Sequence, residues 1–187
     1  FTPKNVRHCV NSISLNFKYE EKENNEKINV AYFAGGCFWG VEYYFQKTQG
    51  VKSVVSGYMG GDLINPKYED ICSGISGHLE VVKVEYNEQD VSYEELCKMF
   101  FEIHDFTQEN GQGPDIGSQY LSAIFYNNES EYKISINLID YLAELNYNVA
   151  TTLKEVCKFY DAEQYHQNYY NRHQKVPYCH SYKKIFS

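Results

Sequence analysis

The sequence predicts an α+β fold built as a two-layer α/β sandwich, and three observations carry that prediction. Strand and helix patterns alternate in the order β-α-β-β-α-β from Ile28 onward, the strand segments are β-branched and apolar at their centres, and the helical segments show one apolar face each. That order is the ferredoxin-like split βαβ plan, here with extra C-terminal elements.

Ile28 to Ala34 reads as a buried strand, broken by Gly35-Gly36. Phe38 to Lys47 then has helical spacing, with Gly50 as the stop, so Cys37 falls at a strand-to-helix turn. Val51 to Tyr58 is the second strand and ends in Gly60-Gly61; a short helical piece follows near Lys67 to Ile71. Leu79 to Tyr86 is the third strand, carrying Val81, Val82 and Val84. Ser92 and Glu95 make a capping box for a helix whose Leu96, Met99, Phe100 and Ile103 share a face. Tyr120 to Tyr126 is the fourth strand, and Glu129 to Leu145 a helix with Ile134, Leu138, Tyr141, Leu142 and Leu145 inward. Val149 to Val156 is a fifth strand.

At 187 residues, 43% of them hydrophobic and only four Pro, the chain makes one domain with a core that needs no staples. That domain runs from 28 to 187, with a mobile C-terminal segment from about 171. Residues 1–27 form an N-terminal arm and linker: Phe1 to Tyr19 is basic and free of acids, which fits a loose arm or the tail of a leader, and Glu20 to Lys27 holds no apolar residue. A formal charge of −8 repels phosphate backbones and anionic lipid surfaces, excluding nucleic acid and membrane surface as expected partners. The central charge-free stretch, Asn29 to Val41, falls short of the roughly 18 apolar residues that span a bilayer. Six cysteines lie 22 to 60 residues apart with no C-x-x-C, as expected of reduced thiols in an intracellular compartment, the cytoplasm before an organelle.

Gly35-Gly36-Cys37-Phe38-Trp39-Gly40 places a thiol where a helix starts, a position that lowers thiol pKa and favours a nucleophile. Flanking glycines permit close approach to the backbone, and the two aromatics wall the sulfur with apolar surface. Gly36-Cys37-Phe38-Trp39 arises by chance about once in 10⁴ chains of this composition. At these residues the sequence resembles the peptide methionine sulfoxide reductases of type A, whose signature is G-C-F-W. Gly57-Tyr58-Met59-Gly60-Gly61, Asn65-Pro66-Lys67-Tyr68, Gly77-His78-Leu79-Glu80-Val81, His104-Asp105, Gly113 to Tyr120 and Tyr165-His166-Gln167 agree, so the resemblance covers about Ile28 to Cys179.

The resemblance implies reduction of methionine-S-sulfoxide, free or in proteins, by a monomer without cofactor or metal. Cys37 would attack the sulfoxide sulfur, Glu80 would protonate the oxygen, and Tyr68 and Tyr120 would bind that oxygen. Burial of Glu80 at the start of an apolar strand would keep it protonated near neutral pH. Phe38 and Trp39 would enclose the S-methyl group, and Asp115 would accept from the methionine backbone N–H. Cys179 would resolve the Cys37 sulfenic acid as a disulfide, and a thioredoxin-like protein would reduce it. The match is looser here, because Pro177-Tyr178-Cys179-His180 replaces the glycines that surround this cysteine in the family's bacterial form. Phe106 and Leu121 stand where the family has proline and arginine; Cys72, Cys97 and Cys157, in family-like loop, helix and strand, have no assigned role.

Three other readings compete. A cysteine hydrolase would pair Cys37 with His78 and needs a third group orienting that histidine. His166, His173 and His180 recur every seven residues, as zinc ligands or as one solvated helix face, although closely paired ligands are lacking and Pro177 interrupts a single helix. A binding module without turnover would retain the fold alone.

Overall fold

A computed structural model describes residues 27–186 of the chain, so the expected arm and linker, with Cys9, lie outside the described residues. The first strand, β1 (Ile28–Gly35), leads through Gly36 into helix α1 (Phe38–Phe45) and then strand β2 (Val51–Met59). After the short helix α2 (Tyr68–Cys72), strand β3 (Leu79–Asn87) enters between the first two: β1 and β2 both pair antiparallel with it. Helix α3 (Tyr93–Ile103) follows, started by the capping box, with the Glu95 N–H donating to Ser92 Oγ at 3.2 Å. Two-residue strands β4 (Gly111–Gln112) and β5 (Asp115–Ile116) form a small hairpin. Strand β6 (Ser122–Tyr126) pairs antiparallel with β1. Helix α4 (Glu129–Glu144), capped by Asn128, leads to β7 (Thr152–Glu155), β8 (Tyr160–Asp161) and α5 (Tyr169–His173). The main sheet runs β7-β6-β1-β3-β2-β8, mixed because β7 lies parallel to β6.

Side-chain alternation along β1 divides the core between the two sheet faces. Ala31 and Phe33 point to the helices, where Phe33 stacks on Phe45 of α1 at 4.9 Å and on Phe100 of α3 at 5.2 Å between centroids. Ala34 belongs to a smaller cluster with Met59, Val81 and Phe125, against which Tyr32 and Phe159 pack. Leu96, Phe100 and Ile103 are fully buried, as the helical spacing predicts, with Met99 half-buried beside them.

Several expectations change. The fourth strand begins at Ser122 because 118–120 is a 3₁₀ turn, and the fifth shortens to β7. Leu138 and Leu142 are buried in α4, whereas Tyr141 and Leu145 are exposed because that helix lies at the rim and covers the core with a narrow stripe. Cys157 stands exposed between β7 and β8 rather than in a strand. Phe106, in place of the family's proline, fills the core edge-on to Phe101 and Tyr147.

Beyond α5 the chain has no regular element, yet it is anchored on both sides of Cys179. Lys175 N–H donates to the Tyr170 carbonyl at 3.1 Å, Lys183 N–H to the Glu102 carbonyl at 2.7 Å, and the N–H groups of Ile185 and Phe186 to Glu102 Oε1 at 2.8 and 2.9 Å. Among the described residues no helix is long and apolar enough to cross a membrane.

Candidate active site

Gly36, at φ +89°, turns the chain from β1 so that Cys37 caps α1. A Cβ at Gly36 would lie 2.3 Å from Gln112 Cβ. Gly36→Ala is therefore expected to destabilise the fold by about 2–4 kcal/mol, combining left-handed strain with overpacking, and chemical denaturation reads this directly.

Cys37 is buried, and its thiol and that of Cys179 act on each other directly. The Phe38 N–H, in the first turn of α1, donates to Glu80 Oε2 at 3.0 Å. Glu80 is buried on β3, and that burial, opposed by the Phe38 hydrogen bond and reinforced by Asp115 and Cys179, pushes its carboxyl up to about 8. The Tyr68 and Tyr120 hydroxyls influence each other, and the Glu80 charge acts on both and on Cys37. Six of the eight expected site residues thus converge: Cys37, Glu80, Cys179, Tyr68, Tyr120 and Asp115.

The expected lowering of the Cys37 pKa is not found. The neighbouring Cys179 thiol and burial raise it, and they outweigh the backbone N–H of Trp39, which is the helix-terminus effect. Cys179 is the thiol pulled down, by its neighbour Cys37 and then by His180.

Phe38 is buried against Tyr58 and His166, at 5.8 and 5.1 Å between centroids. Trp39 is half-buried, its indole stacked on Tyr169 at 3.7 Å and its Nε1–H donating to His166 Nδ1 at 3.1 Å. Burial holds His166 neutral, which leaves that nitrogen free to accept. Asp115 does not present a free carboxylate, since the Tyr178 hydroxyl donates to its two oxygens at 3.1 and 3.2 Å.

Several supporting residues escape sequence reasoning. Glu163 accepts from the Tyr68 N–H at 3.0 Å and from the Tyr58 hydroxyl at 2.9 Å, placing α2 and its tyrosine. Gln112 receives the Asp105 N–H at 3.2 Å and donates to the Cys179 carbonyl at 3.1 Å, so it links the turn after α3 to the Cys179 loop. Glu42, buried in α1, accepts from the Asn168 N–H at 3.0 Å and pins the 163–169 segment; burial raises its pKa to about 7. A carboxyl with a raised folded-state pKa contributes stability at low pH that is lost as pH rises, here between about 4.5 and 7. Glu42→Gln is expected to remove up to about 3 kcal/mol of that pH dependence, leaving the Glu80 contribution, when unfolding is followed from pH 4 to 8.

The rival arrangements find no geometry. Both ring nitrogens of His78 are engaged, Nδ1 with the Gly61 N–H at 3.1 Å and Nε2 with the Leu63 carbonyl at 2.9 Å, so it braces a loop. His166, His173 and His180 do not share a helix face, because α5 spans only Tyr169–His173 and the outer two are buried on either side of it. Among the described residues no three His, Cys, Asp or Glu side chains converge on a point that suits a metal ion.

The family model described as peptide methionine sulfoxide reductase matches residues 29–186. The reductase MsrA of Nautilia profundicola is 48% identical over 149 residues, covering 80% of this chain and 86% of the relative. That of Ruthia magnifica is 46% identical over 152 residues, 81% of this chain and 91% of the relative. Among solved structures, reduced Mxr1 from Saccharomyces cerevisiae superimposes with a TM-score of 0.78 at 30% identity, over 86% of this chain and 94% of its own. Methionine sulfoxide reductase A of Corynebacterium diphtheriae gives 0.72 at 32% identity, over 81% and 77%. With a thiol at a helix start, a buried carboxyl and a second thiol brought together, and with relatives matched over four-fifths of its length, the chain belongs to the peptide methionine sulfoxide reductases.

Proposed function

We propose that Cys37 attacks the sulfur of a methionine-S-sulfoxide while Glu80, in its protonated form, donates to the oxygen. The observation that carries this reading is the cluster at the start of α1: a thiol, a carboxyl held 3.0 Å from the next backbone N–H, and a second free thiol close enough to act on the first. Tyr68 and Tyr120 hold the sulfoxide oxygen, Phe38 and Trp39 take the S-methyl group, and Asp115 accepts from the substrate N–H once Tyr178 withdraws. As methionine leaves, Cys37 becomes a sulfenic acid; Cys179 then forms a disulfide with it, and a thioredoxin-like protein restores both thiols by exchange. The one-epimer preference follows from the asymmetry of a pocket with oxygen-binding hydroxyls on one side and an apolar wall on the other.

Mixing enzyme with one equivalent of a methionine-S-sulfoxide peptide and no reductant tests the cycle. One methionine per enzyme and a loss of two mass units are expected. Turnover in Cys179→Ser that stops at a trappable sulfenic acid identifies the resolving thiol, whereas disulfide formation in that variant would rule Cys179 out.

A further inference from the structure

We propose that His180 is the base that activates Cys179 for disulfide formation, a catalytic role in the second half of the reaction. The proposal rests on Cys179 as the resolving thiol. His180 is buried, and its two ring nitrogens divide their tasks. Nε2 lies 2.6 Å from the Gly35 carbonyl, which can only accept, so this nitrogen carries a hydrogen. In the neutral ring Nδ1 then has the lone pair, and it lies 3.1 Å from Cys179 Sγ, positioned to take the thiol proton. The Gly35 carbonyl belongs to the turn that holds Cys37, so one imidazole ties the resolving thiol to the strand end beside its target.

Gly40 makes this approach available. A Cβ there would stand 2.1 Å from His180 Nδ1, so any larger residue on that face of α1 would displace the imidazole. The neighbouring Tyr44 hydroxyl donates to the His180 carbonyl at 3.5 Å, and Gln112 holds the Cys179 carbonyl. The tail backbone is thus fixed on both sides of the Sγ–Nδ1 contact.

The step balances without an added oxidant. His180 removes the Cys179 proton; the thiolate attacks the Cys37 sulfenic sulfur, the S–S bond forms as the S–O bond breaks, and the departing hydroxide takes up a proton and leaves as water. The Cys179 sulfur supplies the electron pair of the new S–S bond, and both sulfurs end at the disulfide level. Other groups around the pair are Cys37 and Tyr44 from α1, Glu80 from β3, His104 after α3, Asp115 from β5, and Tyr170 from α5. Glu80 is left in place in both His180 variants, so the rate relative to wild type isolates the histidine.

The test is a rapid-quench single turnover with one equivalent of methionine-S-sulfoxide peptide and no reductant, following methionine and intact mass separately. It compares wild type, His180→Asn, His180→Gln and Cys179→Ser from pH 6 to 9. Both His180 variants are expected to form methionine at the wild-type rate but to close the disulfide about 10²-fold more slowly at pH 7. The deficit should shrink by about tenfold per pH unit as Cys179 deprotonates unaided. Closure at the wild-type rate with the wild-type pH profile in either variant would overturn the proposal. Loss of the methionine burst in both variants would also overturn it, assigning His180 to holding the Gly35 turn. A disulfide in Cys179→Ser would instead remove the reading beneath it.

Discussion

Cys37→Ser is expected to form no methionine in a single turnover with or without dithiothreitol, a loss of roughly 10⁴-fold or more, because the thiol at the helix start, the proposed nucleophile, is removed. The substitution exchanges one small buried group for another at the cap of α1, so folding is expected to survive. Two further readouts separate lost chemistry from lost binding. The serine variant should still bind the sulfoxide peptide, since Tyr68, Tyr120 and Trp39 are untouched. It should also show no sulfenic acid by mass after exposure to substrate. Methionine formation at even a hundredth of the wild-type rate would show that another thiol carries the attack.

Glu80→Gln is expected to lower the rate of methionine formation by about 10²–10⁴-fold while leaving the fold in place. The amide oxygen of glutamine can still accept from the Phe38 N–H that Glu80 now holds at 3.0 Å, so the start of α1 keeps its partner. What disappears is the transferable proton. Because Glu80 is raised to about 8, its acid form is depleted about tenfold per unit above that pH, which adds a descending alkaline limb to the wild-type first step whatever the ionisation of Cys37 contributes. Glutamine should remove that alkaline limb. An unchanged alkaline limb in the variant would show that a different acid serves the sulfoxide oxygen.

The parts of the molecule legible in the sequence are those encoded by local periodicity or by a motif within a few residues. Phe33, Leu96, Phe100 and Val82 are buried where alternation and helical spacing place them, and the Ser92–Glu95 box starts α3. Cys37, Glu80, Tyr68 and Tyr120 come together from segments that motif resemblance identifies. The two-residue strands β4, β5 and β8 have no period to read, because so few residues cannot alternate. Nor is the supporting ring legible: Trp39 to His166, Glu42 to Asn168 and His180 to Gly35 are contacts 127, 126 and 145 residues apart in sequence. His180 reads in isolation as a surface or zinc histidine; only the path of the tail over Gly40 shows what its nitrogens face. The Cys37 pKa is misjudged for the same reason, since helix position is local and the opposing thiol is not.

The tail that crosses the site is pinned before Cys179 at Tyr170 and after it by Glu102, which accepts two N–H groups through one carboxylate oxygen and one through its carbonyl. Such two-sided anchoring gives the second thiol a high effective concentration at the first, well beyond what a free end would supply. In the proposed cycle the sulfenic acid of Cys37 is then exposed to two competing fates, capture by its neighbour or collision with another oxidant molecule that would carry it irreversibly to the sulfinic state. Capture is unimolecular and independent of oxidant concentration, whereas overoxidation scales with it. In the proposed cycle the Glu102 clamp, which holds the tail beyond Cys179, therefore protects the enzyme's own lifetime under the oxidising conditions that create its substrate.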